Sequence, residues 1–544
     1  MSSIYDQRPW LSQYDPGQPH DSVREYATAL DMFAASVRRA PETPIIRYFD
    51  GVLTLGELDA QSDAFACGLL DAGVRGGDRV ALYLQNVPQF VIALLGVWKA
   101  GAIAVSVSPM YKQRELNELL SDSGASAVVC LESLYVNVRA VFDGIVVSTS
   151  ELKYQRRNDP RALGGVERID CPGAQDMSEV ITRFTGRRPP AVSLGPDDVA
   201  VLTYTSGTTG PPKGAMITHG NVVFNAQTYR NWVGLGPDDV VFGVAPLFHV
   251  TGLIAHIGVS LLVGAPLVLF HRFEPSLAID TVRETGATFT VASITVFIAL
   301  MNAPNADRTA LATLTKVYSG GAPIAPSTVK AFAAQFGPYI HNIYGMTETT
   351  SPSHAVPLHA EAPVDEASGA LSVGVPVYST VVRVLDEKGG ELPPGKVGEL
   401  VVTGPQVVSG YWRKPEETAK AIRDGGLRTG DMGYMDADGW FYIVDRKKDQ
   451  INAGGYKVWP REVEDVLYEH EAVREAAVVG VPHEYRGETV KAFVSLRPGR
   501  QVTPEELITF CKTRLAAYKY PREVELLEDL PKTASGKLLR RELG

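Results

Sequence analysis

Short apolar runs alternate with amphipathic segments along most of the chain, a pattern that predicts buried strands and covering helices in turn. The predicted strands lie at 79–83, 103–107, 127–130, 240–244, 267–270, 289–291 and 316–319, and the predicted helices at 55–72, 88–100 and 114–123. This alternation predicts an α/β fold whose sheets are mainly parallel. The segment 153–190 is rich in Arg, Gly and Pro and predicts a surface excursion.

The pattern changes near residue 373. Short strands are predicted at 381–385, 398–402, 433–435 and 440–444, with turn-rich pieces between them, which indicates a β-rich subdomain over 373–446. Beyond it, helices at 460–469 and 504–515 and strands at 476–481 and 490–496 predict a small α+β domain. The predicted domains are therefore an N-terminal portion over 1–446 and a C-terminal domain over 447–544.

Composition limits the classes of function. A chain of 544 residues exceeds what one hydrophobic core supports, and a net charge of −10 argues against a nucleic-acid binder. Four scattered cysteines form no C-x-x-C pair, so neither a disulfide framework nor a zinc site is indicated, and a cytoplasmic location is expected. The first residues lack a signal-peptide pattern. The uncharged stretch 244–270 contains Pro246 and Pro266, which favour a buried helix and strand over a transmembrane segment.

A loop crowded with donors follows an apolar run at 199–204. Its hydroxyl side chains and glycines suit an anion, and the lysine adds positive charge. These residues are Thr205, Ser206, Gly207, Thr208, Thr209, Gly210, Lys213 and Gly214. The P-loop pattern of the NTPases fails, because Pro212 stands where its second glycine should be. A flexible polar surface loop is the alternative. The loop predicts a polyphosphate site.

A second motif runs from Asn342 to Thr350. Its Tyr344-Gly345 pair suits a flat ring that stacks on an aromatic face, and Glu348 is an oxygen ligand of the kind that Mg²⁺ takes beside phosphate oxygens. The structural alternative is a helix start, where a glutamate suits the helix dipole. Together the two motifs resemble the adenylate-forming superfamily of acyl-CoA synthetases, luciferases and adenylation domains. The resemblance implies that Tyr344 stacks on adenine and that Glu348 and Thr205 hold magnesium.

Four further segments occur in the order that this superfamily has. By resemblance, Asp431 and Arg446 contact the ribose, Lys448 is the hinge of a mobile C-terminal domain, the pair Gly454 and Gly455 lines the tunnel for the coenzyme A thiol, and Lys537 is the catalytic lysine. Each has a plain structural alternative, namely a turn or a solvated charge. The implied fold is a large N-terminal portion of stacked α/β subdomains plus the β-rich subdomain, with a small mobile α+β domain after it.

The resemblance completes the list of site residues. It implies catalytic roles for Lys537, His249 and Lys213, and nucleotide or coenzyme contacts for Thr205, Ser206, Gly207, Thr208, Thr209, Gly321, Ala322, Pro323, Asn342, Tyr344, Gly345, Met346, Thr347, Asp431, Arg446, Gly454 and Gly455. The implied small molecules are ATP, Mg²⁺ and coenzyme A. A homodimer stays open, and no nucleic acid or transmembrane segment is expected.

The implied reaction is ATP-dependent activation of a carboxylic acid to an acyl-AMP and then to its coenzyme A thioester. Segments 10–14, 108–111 and 114–116 resemble medium- and long-chain fatty acyl-CoA synthetases, and the predicted acyl pocket is apolar with no charge to read an amino group. Trp232 is interpreted as a core residue, with a gate over an acyl tunnel as the alternative. An aryl acid of the coumarate type stays open, as do a fatty acyl-AMP ligase that serves a carrier protein, a non-catalytic relative and an oxidative luciferase.

Overall fold

The structure is a computed structural model. It describes residues 3–205, 212–365, 369–446, 449, 451–453, 456–483, 487–533 and 538–543. The predicted site residues Ser206, Gly207, Thr208, Thr209, Lys448, Gly454, Gly455 and Lys537 lie outside these ranges.

The strands of the N-terminal portion are, in chain order, β1 (Pro44–Tyr48), β2 (Gly51–Thr54), β3 (Arg79–Tyr83), β4 (Ile103–Ser106), β5 (Ala127–Leu131), β6 (Ile145–Thr149), β7 (Gln175–Asp176), β8 (Val199–Thr205), β9 (Lys213–Thr218), β10 (Val241–Phe242), β11 (Leu267–Leu269), β12 (Phe289–Ala292), β13 (Lys316–Ser319), β14 (Ile340–Met346), β15 (Ser351–Ala355) and β16 (Val375–Pro376). They are followed by β17 (Val381–Leu385), β18 (Gly398–Thr403), β19 (Ile422–Arg423), β20 (Gly426–Met435), β21 (Phe441–Arg446), β22 (Ile451–Ala453), β23 (Tyr456–Val458), β24 (Val473–His483), β25 (Gly487–Leu496) and β26 (Glu523–Leu526).

The helices are α1 (Ala29–Arg39), α2 (Leu55–Asp71), α3 (Pro88–Lys99), α4 (Gln113–Ser123), α5 (Tyr135–Arg139), α6 (Pro160–Leu163), α7 (Met177–Arg183), α8 (His219–Val233), α9 (Val259–Val263), α10 (Pro275–Thr285), α11 (Ile294–Met301), α12 (Pro326–Phe336), α13 (Pro415–Ala421), α14 (Pro460–Tyr468) and α15 (Pro504–Lys512). A π-helical segment, Gly252–Gly258, runs directly into α9, and short 3-10 turns lie at Pro9–Gln13, Glu132–Leu134, Thr347–Thr349 and Arg540–Glu542.

Two mainly parallel sheets form the body of the N-terminal portion. One has the order β16-β15-β14-β13-β12-β10-β11-β1-β2, with antiparallel pairing only at its ends among the described pairs. The other has the order β7-β6-β5-β3-β4-β8-β9, in which only the described β8–β9 pair is antiparallel. The predicted α/β class is confirmed.

Two helices lie almost wholly within this body. Every residue of α3 from Pro88 to Trp98 is buried, which is the burial expected of a helix without a polar face. Most of α8 is buried too, including polar side chains such as Asn221 and Asn225, which form hydrogen bonds there. The Trp98 indole N–H donates to the carbonyl of Ala200 on β8 at 2.9 Å, which ties α3 to the strand that leads into the donor-rich loop. No described helix is long and apolar enough to cross a bilayer.

The N-terminal lead packs against distant parts of the chain. Trp10 is fully buried and its ring meets that of Phe441 edge-on at 6.0 Å, while Tyr14 packs edge-on against Trp232 at 5.0 Å. A Cβ at Gly439 would lie 2.6 Å from the Trp10 backbone, so this approach requires glycine. The Trp232 indole N–H donates to the Val356 carbonyl at 3.1 Å. Trp232 therefore lies in the core.

The β-rich sheet has the order β17-β18-β20-β19, and β21 also pairs with β20. It begins at Val381, because the strand Val375–Pro376 within the predicted subdomain pairs with β15 of the large parallel sheet. The C-terminal sheet has the order β23-β22-β25-β24, with β26 parallel to β25. The described polar contacts between this last region and the rest include an Arg461 N–H that donates to the Ile443 carbonyl at 2.9 Å.

The segment predicted as a surface excursion contains more structure than its composition indicates. β7 extends the sheet beside β6, and the buried side chains of Met177 and Val180 place α7 against α2. A Cβ at Gly68 on α2 would lie 2.2 Å from Val180 Cγ1, so the two helices approach closely there. Seven residues of α7 are too few for helical periodicity to be clear in the sequence.

Candidate functional site

The ends of β8 and β9 position the donor-rich loop. Thr205 and Lys213 are paired across this antiparallel hairpin, so residues 206–211 connect two adjacent strand ends. The Thr205 hydroxyl donates a long hydrogen bond of 3.4 Å to the Lys213 carbonyl. The two predicted site residues at the base of the loop, Thr205 and Lys213, are thus adjacent.

The Lys213 ammonium has two contacts at the start of β9. It forms an ion pair with the Glu417 carboxylate of α13, and it lies 5.3 Å from the ring centroid of Tyr411. Hydrogen bonds from Lys213 and then Lys420 lower the pKa of Glu417 to about 2, so this carboxylate is ionised at neutral pH. Glu417 lies 204 residues from Lys213 in the sequence and was not among the predicted site residues.

Glu348 lies in the short turn between β14 and β15 and is 7 % exposed. Its Oε1 accepts a hydrogen bond of 2.7 Å from the Tyr411 hydroxyl, and its carbonyl accepts one of 3.0 Å from the Val408 N–H. Burial, and then the neighbouring Glu348 carboxylate, raise the pKa of the Tyr411 hydroxyl. The hydroxyl is therefore a permanent donor to Glu348.

Helix α8 holds the turn that follows Glu348. The Asn225 amide donates to the Thr349 carbonyl at 3.0 Å, and the hydroxyls of Tyr229 and Ser351 pair at 2.8 Å. Thr350 and Ser351 have φ of 49° and 87°, a left-handed conformation that side chains rarely adopt. These contacts maintain that conformation and so fix where Glu348 sits.

Tyr344 and Asp431 come from different sheets and meet. The Tyr344 hydroxyl donates to Asp431 Oδ2 at 2.6 Å, and Asp431 is 6 % exposed. The backbone of Asp431 pairs with that of Arg446, which places the two residues predicted to contact ribose side by side on β20 and β21. The predicted adenine-stacking and ribose-binding residues are thus neighbours.

The packing of the chain requires glycine at position 345. A Cβ at this position would lie 1.8 Å from the Ser351 carbonyl oxygen on β15, so the close approach of the two strands requires glycine. The adjacent Met346 N–H is capped by the Thr349 hydroxyl at 2.9 Å, and Thr347 opens the short turn. The sequence interpretation attributed this glycine to room for a ring.

The predicted contacts at 321–323 and Asn342 lie at the ends of adjacent parallel strands. Gly321 has a φ of 80° and nothing lies within 4 Å of where its Cβ would be. Pro323 is exposed and Ala322 half-buried, whereas Asn342 is buried and donates to the Ser372 carbonyl at 2.9 Å. Because the carboxyl ends of parallel strands share one edge, these residues lie near the same edge of the sheet as Tyr344.

His249 lies in the turn before the π-helical segment and is half-buried. Its Nδ1 is 3.2 Å from the Thr251 hydroxyl oxygen. A Cβ at Gly252 would lie 2.2 Å from the Pro246 carbonyl oxygen, so glycine is required where the π-helical segment begins. The side chains that follow, Leu253 and Ile257, are buried in the core.

Sequence reasoning missed Tyr411 and Glu417, and it gave His354 no role beyond the lining of the acyl pocket. His354 on β15 is fully buried, its ring lies 5.4 Å from that of Tyr344, and burial lowers its pKa to about 3. The sequence contains no periodicity or spacing that links Tyr411 or Glu417 to the motifs. Their partners are remote along the chain, as for the 63 residues between Tyr411 and Glu348.

The residues fit the small molecules that the resemblance implies. Glu348 and Thr205 offer a carboxylate and a hydroxyl oxygen, the hard donors that Mg²⁺ takes together with phosphate oxygens. Lys213 supplies a cation beside the loop, and the Asp431 carboxylate is a suitable acceptor for ribose hydroxyls.

Comparison with known proteins identifies the family of this chain. Residues 33–412 match the AMP-binding enzyme family, and residues 462–537 match the AMP-binding enzyme C-terminal domain. The chain is 36% identical to a long-chain-fatty-acid–CoA ligase of Bacillus subtilis, over 99% of this chain and 98% of the relative. It is 35% identical to a feruloyl-CoA synthase of Amycolatopsis, over 93% and 96%.

A benzoate CoA ligase from Burkholderia xenovorans has a similar crystal structure, with a TM-score of 0.83, 29% identity, and coverage of 95% of this chain and 99% of that one. The predicted superfamily and the predicted enzyme class, an acid–thiol ligase, are confirmed. With both family matches in order along the sequence, this chain belongs to the AMP-binding enzyme family.

Proposed function

We propose that this protein is an ATP-dependent acyl-CoA synthetase that converts a long-chain fatty acid to its coenzyme A thioester. The observation that carries the proposal is the hydrogen bond of Tyr344 to Asp431, because it brings the proposed adenine and ribose contacts into one site. The carboxylic acid attacks the α-phosphate of ATP to give an acyl-AMP and pyrophosphate. The coenzyme A thiol then displaces AMP to form the thioester.

The residues of this chain act mainly by position and charge. Two anions must approach each other in the first step, so Lys213, the loop amides and Lys537 are proposed to offset their repulsion. Glu348 and Thr205 would hold Mg²⁺, which supplies charge neutralisation at the phosphates when it is bound. Lys537 is proposed to act in the first step, and rotation about Lys448 then to bring Gly454 and Gly455 to the site for the second.

Two features favour a long aliphatic acid. The Bacillus relative acts on long-chain fatty acids by its name and covers nearly the whole chain. Val250, Leu253 and Ile257, which follow His249, are apolar and buried, and such side chains suit an alkyl chain. An aryl acid is the second candidate, because the feruloyl-CoA synthase is almost equally similar and a flat ring also suits an apolar pocket.

Pyrophosphate release measured across a panel of acids tests the proposal. The panel holds straight-chain acids of rising length, benzoate, ferulate and several amino acids, each with and without coenzyme A. We expect the highest kcat/KM with a long straight-chain acid, and steady turnover only when coenzyme A is present. A preference for ferulate or benzoate assigns the aryl candidate, and turnover with a carrier protein instead of coenzyme A contradicts the ligase assignment. A Lys537→Ala variant, which should not form the adenylate, is the control for pyrophosphate release that does not come from this reaction.

A further inference from the structure

Tyr411 lies between the two charged groups that the proposed function assigns to ATP. Its hydroxyl donates to Glu348 Oε1 at 2.7 Å, and its ring centroid is 5.3 Å from the Lys213 ammonium. One side chain thus contacts both the proposed metal ligand and the proposed phosphate contact. The family resemblance described in the sequence analysis gives no role to Tyr411.

The backbone around Tyr411 is anchored to the strand that carries Lys213. The Met216 N–H donates to the Gly410 carbonyl at 2.9 Å, and the Trp412 N–H donates to the Gly214 carbonyl at 2.8 Å. The Tyr411 N–H also donates to the Thr418 hydroxyl at 2.9 Å. This arrangement holds the Tyr411 ring at a fixed place beside the hairpin that bears the phosphate loop.

The same segment also fixes Glu348. The Val408 N–H donates to the Glu348 carbonyl, and the Tyr411 hydroxyl, three residues further along the chain, donates to the Glu348 carboxylate. A hydrogen bond to an ionised oxygen is about twice as strong as a neutral one and is directional. The carboxylate therefore has a set orientation before any ligand arrives.

We propose that Tyr411 is a positioning residue for magnesium–ATP, whose hydroxyl orients the Glu348 carboxylate and whose ring holds the Lys213 ammonium. The inference rests on the proposed function, since it assumes that Glu348 meets the metal and Lys213 the phosphates. In this assignment Tyr411 itself contacts neither the metal nor the phosphates. By holding the Glu348 and Lys213 side chains in place, Tyr411 lowers the free-energy cost of ordering them when magnesium–ATP binds.

Calorimetric titration with ATP in the absence of acid and coenzyme A tests this without turnover. For each variant the affinity is measured with excess Mg²⁺ and again with EDTA. Tyr411→Phe keeps the ring and removes the hydroxyl, so it should weaken magnesium–ATP binding about tenfold and leave metal-free ATP binding unchanged. Tyr411→Leu removes the ring too and should also weaken metal-free binding, by about threefold.

Tyr48→Phe is the matched control. Tyr48 is buried, whereas Tyr411 is half-buried, and the Tyr48 hydroxyl likewise has one hydrogen bond, to the Glu151 carbonyl at 2.9 Å. Tyr48 and Glu151 both lie far from the motifs in sequence, so both affinities should equal those of the wild type. In a double variant, Tyr411→Phe should add little to the loss caused by Glu348→Gln, since the two act through one contact.

Equal losses with Mg²⁺ and with EDTA in Tyr411→Phe overturn the proposal, because a structural role would lower both affinities alike. Additive losses in the double variant also overturn it. If the wild-type protein binds no ATP with either Mg²⁺ or EDTA, the proposed function itself is contradicted. If the wild type binds ATP and Tyr411→Phe binds it with the same affinity, only the positioning role is contradicted.

Discussion

The Tyr344 hydroxyl donates to Asp431 Oδ2 at 2.6 Å, although 87 residues separate the two along the chain. Tyr344 lies on β14 of the large sheet and Asp431 on β20 of the β-rich sheet, so this bond joins two sheets. It places an aromatic face and a carboxylate side by side, the pair of surfaces that a nucleoside needs. The nucleoside half of the proposed ATP site is thus preorganised.

Asp431→Asn should lower the affinity for ATP by about 10- to 100-fold, because a neutral amide replaces the charged acceptor of the ribose hydroxyls. Comparison with 3′-deoxy-ATP makes the test specific. The wild type should discriminate against this analogue, and the variant should not. Tyr344→Phe, which keeps the ring, should lose less affinity than Asp431→Asn. If the Asp431→Asn variant still prefers ATP to 3′-deoxy-ATP, the ribose hydroxyls are bound by another residue.

Lys537→Ala should abolish adenylate formation and leave thioester formation from supplied acyl-AMP largely intact. Loss of one charge aimed at the transferring phosphate costs about 3–4 kcal/mol, or about 10²–10³ in rate. Each half-reaction is measured separately, and Lys512→Ala, a lysine in the last turn of α15, is the control. Equal slowing of both halves would refute the assignment of Lys537 to the first step alone.

Lys448→Pro should preserve adenylation and cripple thioester formation, because proline fixes φ and resists rotation at the proposed hinge. Acyl-AMP should then accumulate, with a pyrophosphate burst and no steady turnover. The Arg461 contact with the Ile443 carbonyl links the two sides of this boundary and would have to break during a swing. Thioester formation at the wild-type rate in this variant contradicts a hinge at this position.

Acidification should destabilise the fold through His354. Burial lowers its pKa to about 3 from 6.5, so the unfolded chain binds a proton that the folded protein excludes. Its contribution is complete above pH 6.5 and is lost progressively as the pH falls toward 3, by up to about 1.4 kcal/mol per pH unit. Urea unfolding at pH 7 and pH 5 should show a smaller pH-dependent loss in His354→Gln than in the wild type. An unchanged difference contradicts this contribution.

The sequence by itself determined many of the elements and predicted most residues of the candidate site. Strands such as Arg79–Tyr83 and Lys316–Ser319 match the predicted bounds residue for residue, because an apolar run between polar ends has one favourable environment, a buried sheet. The proposed phosphate loop and the motif around Tyr344 could be predicted for a related reason. Their chemistry is carried by residues that are contiguous in the chain.

The tertiary structure decided which residues meet across the chain. It placed Val375–Pro376 in the large sheet and Gly345 in close contact with Ser351. It also brought Tyr411 to Glu348 and Glu417 to Lys213. Such contacts join positions 63 and 204 residues apart, and they depend on the order in which strands enter a sheet. Periodicity reports the environment of one segment at a time, so it cannot specify partners that only the path of the whole chain brings together.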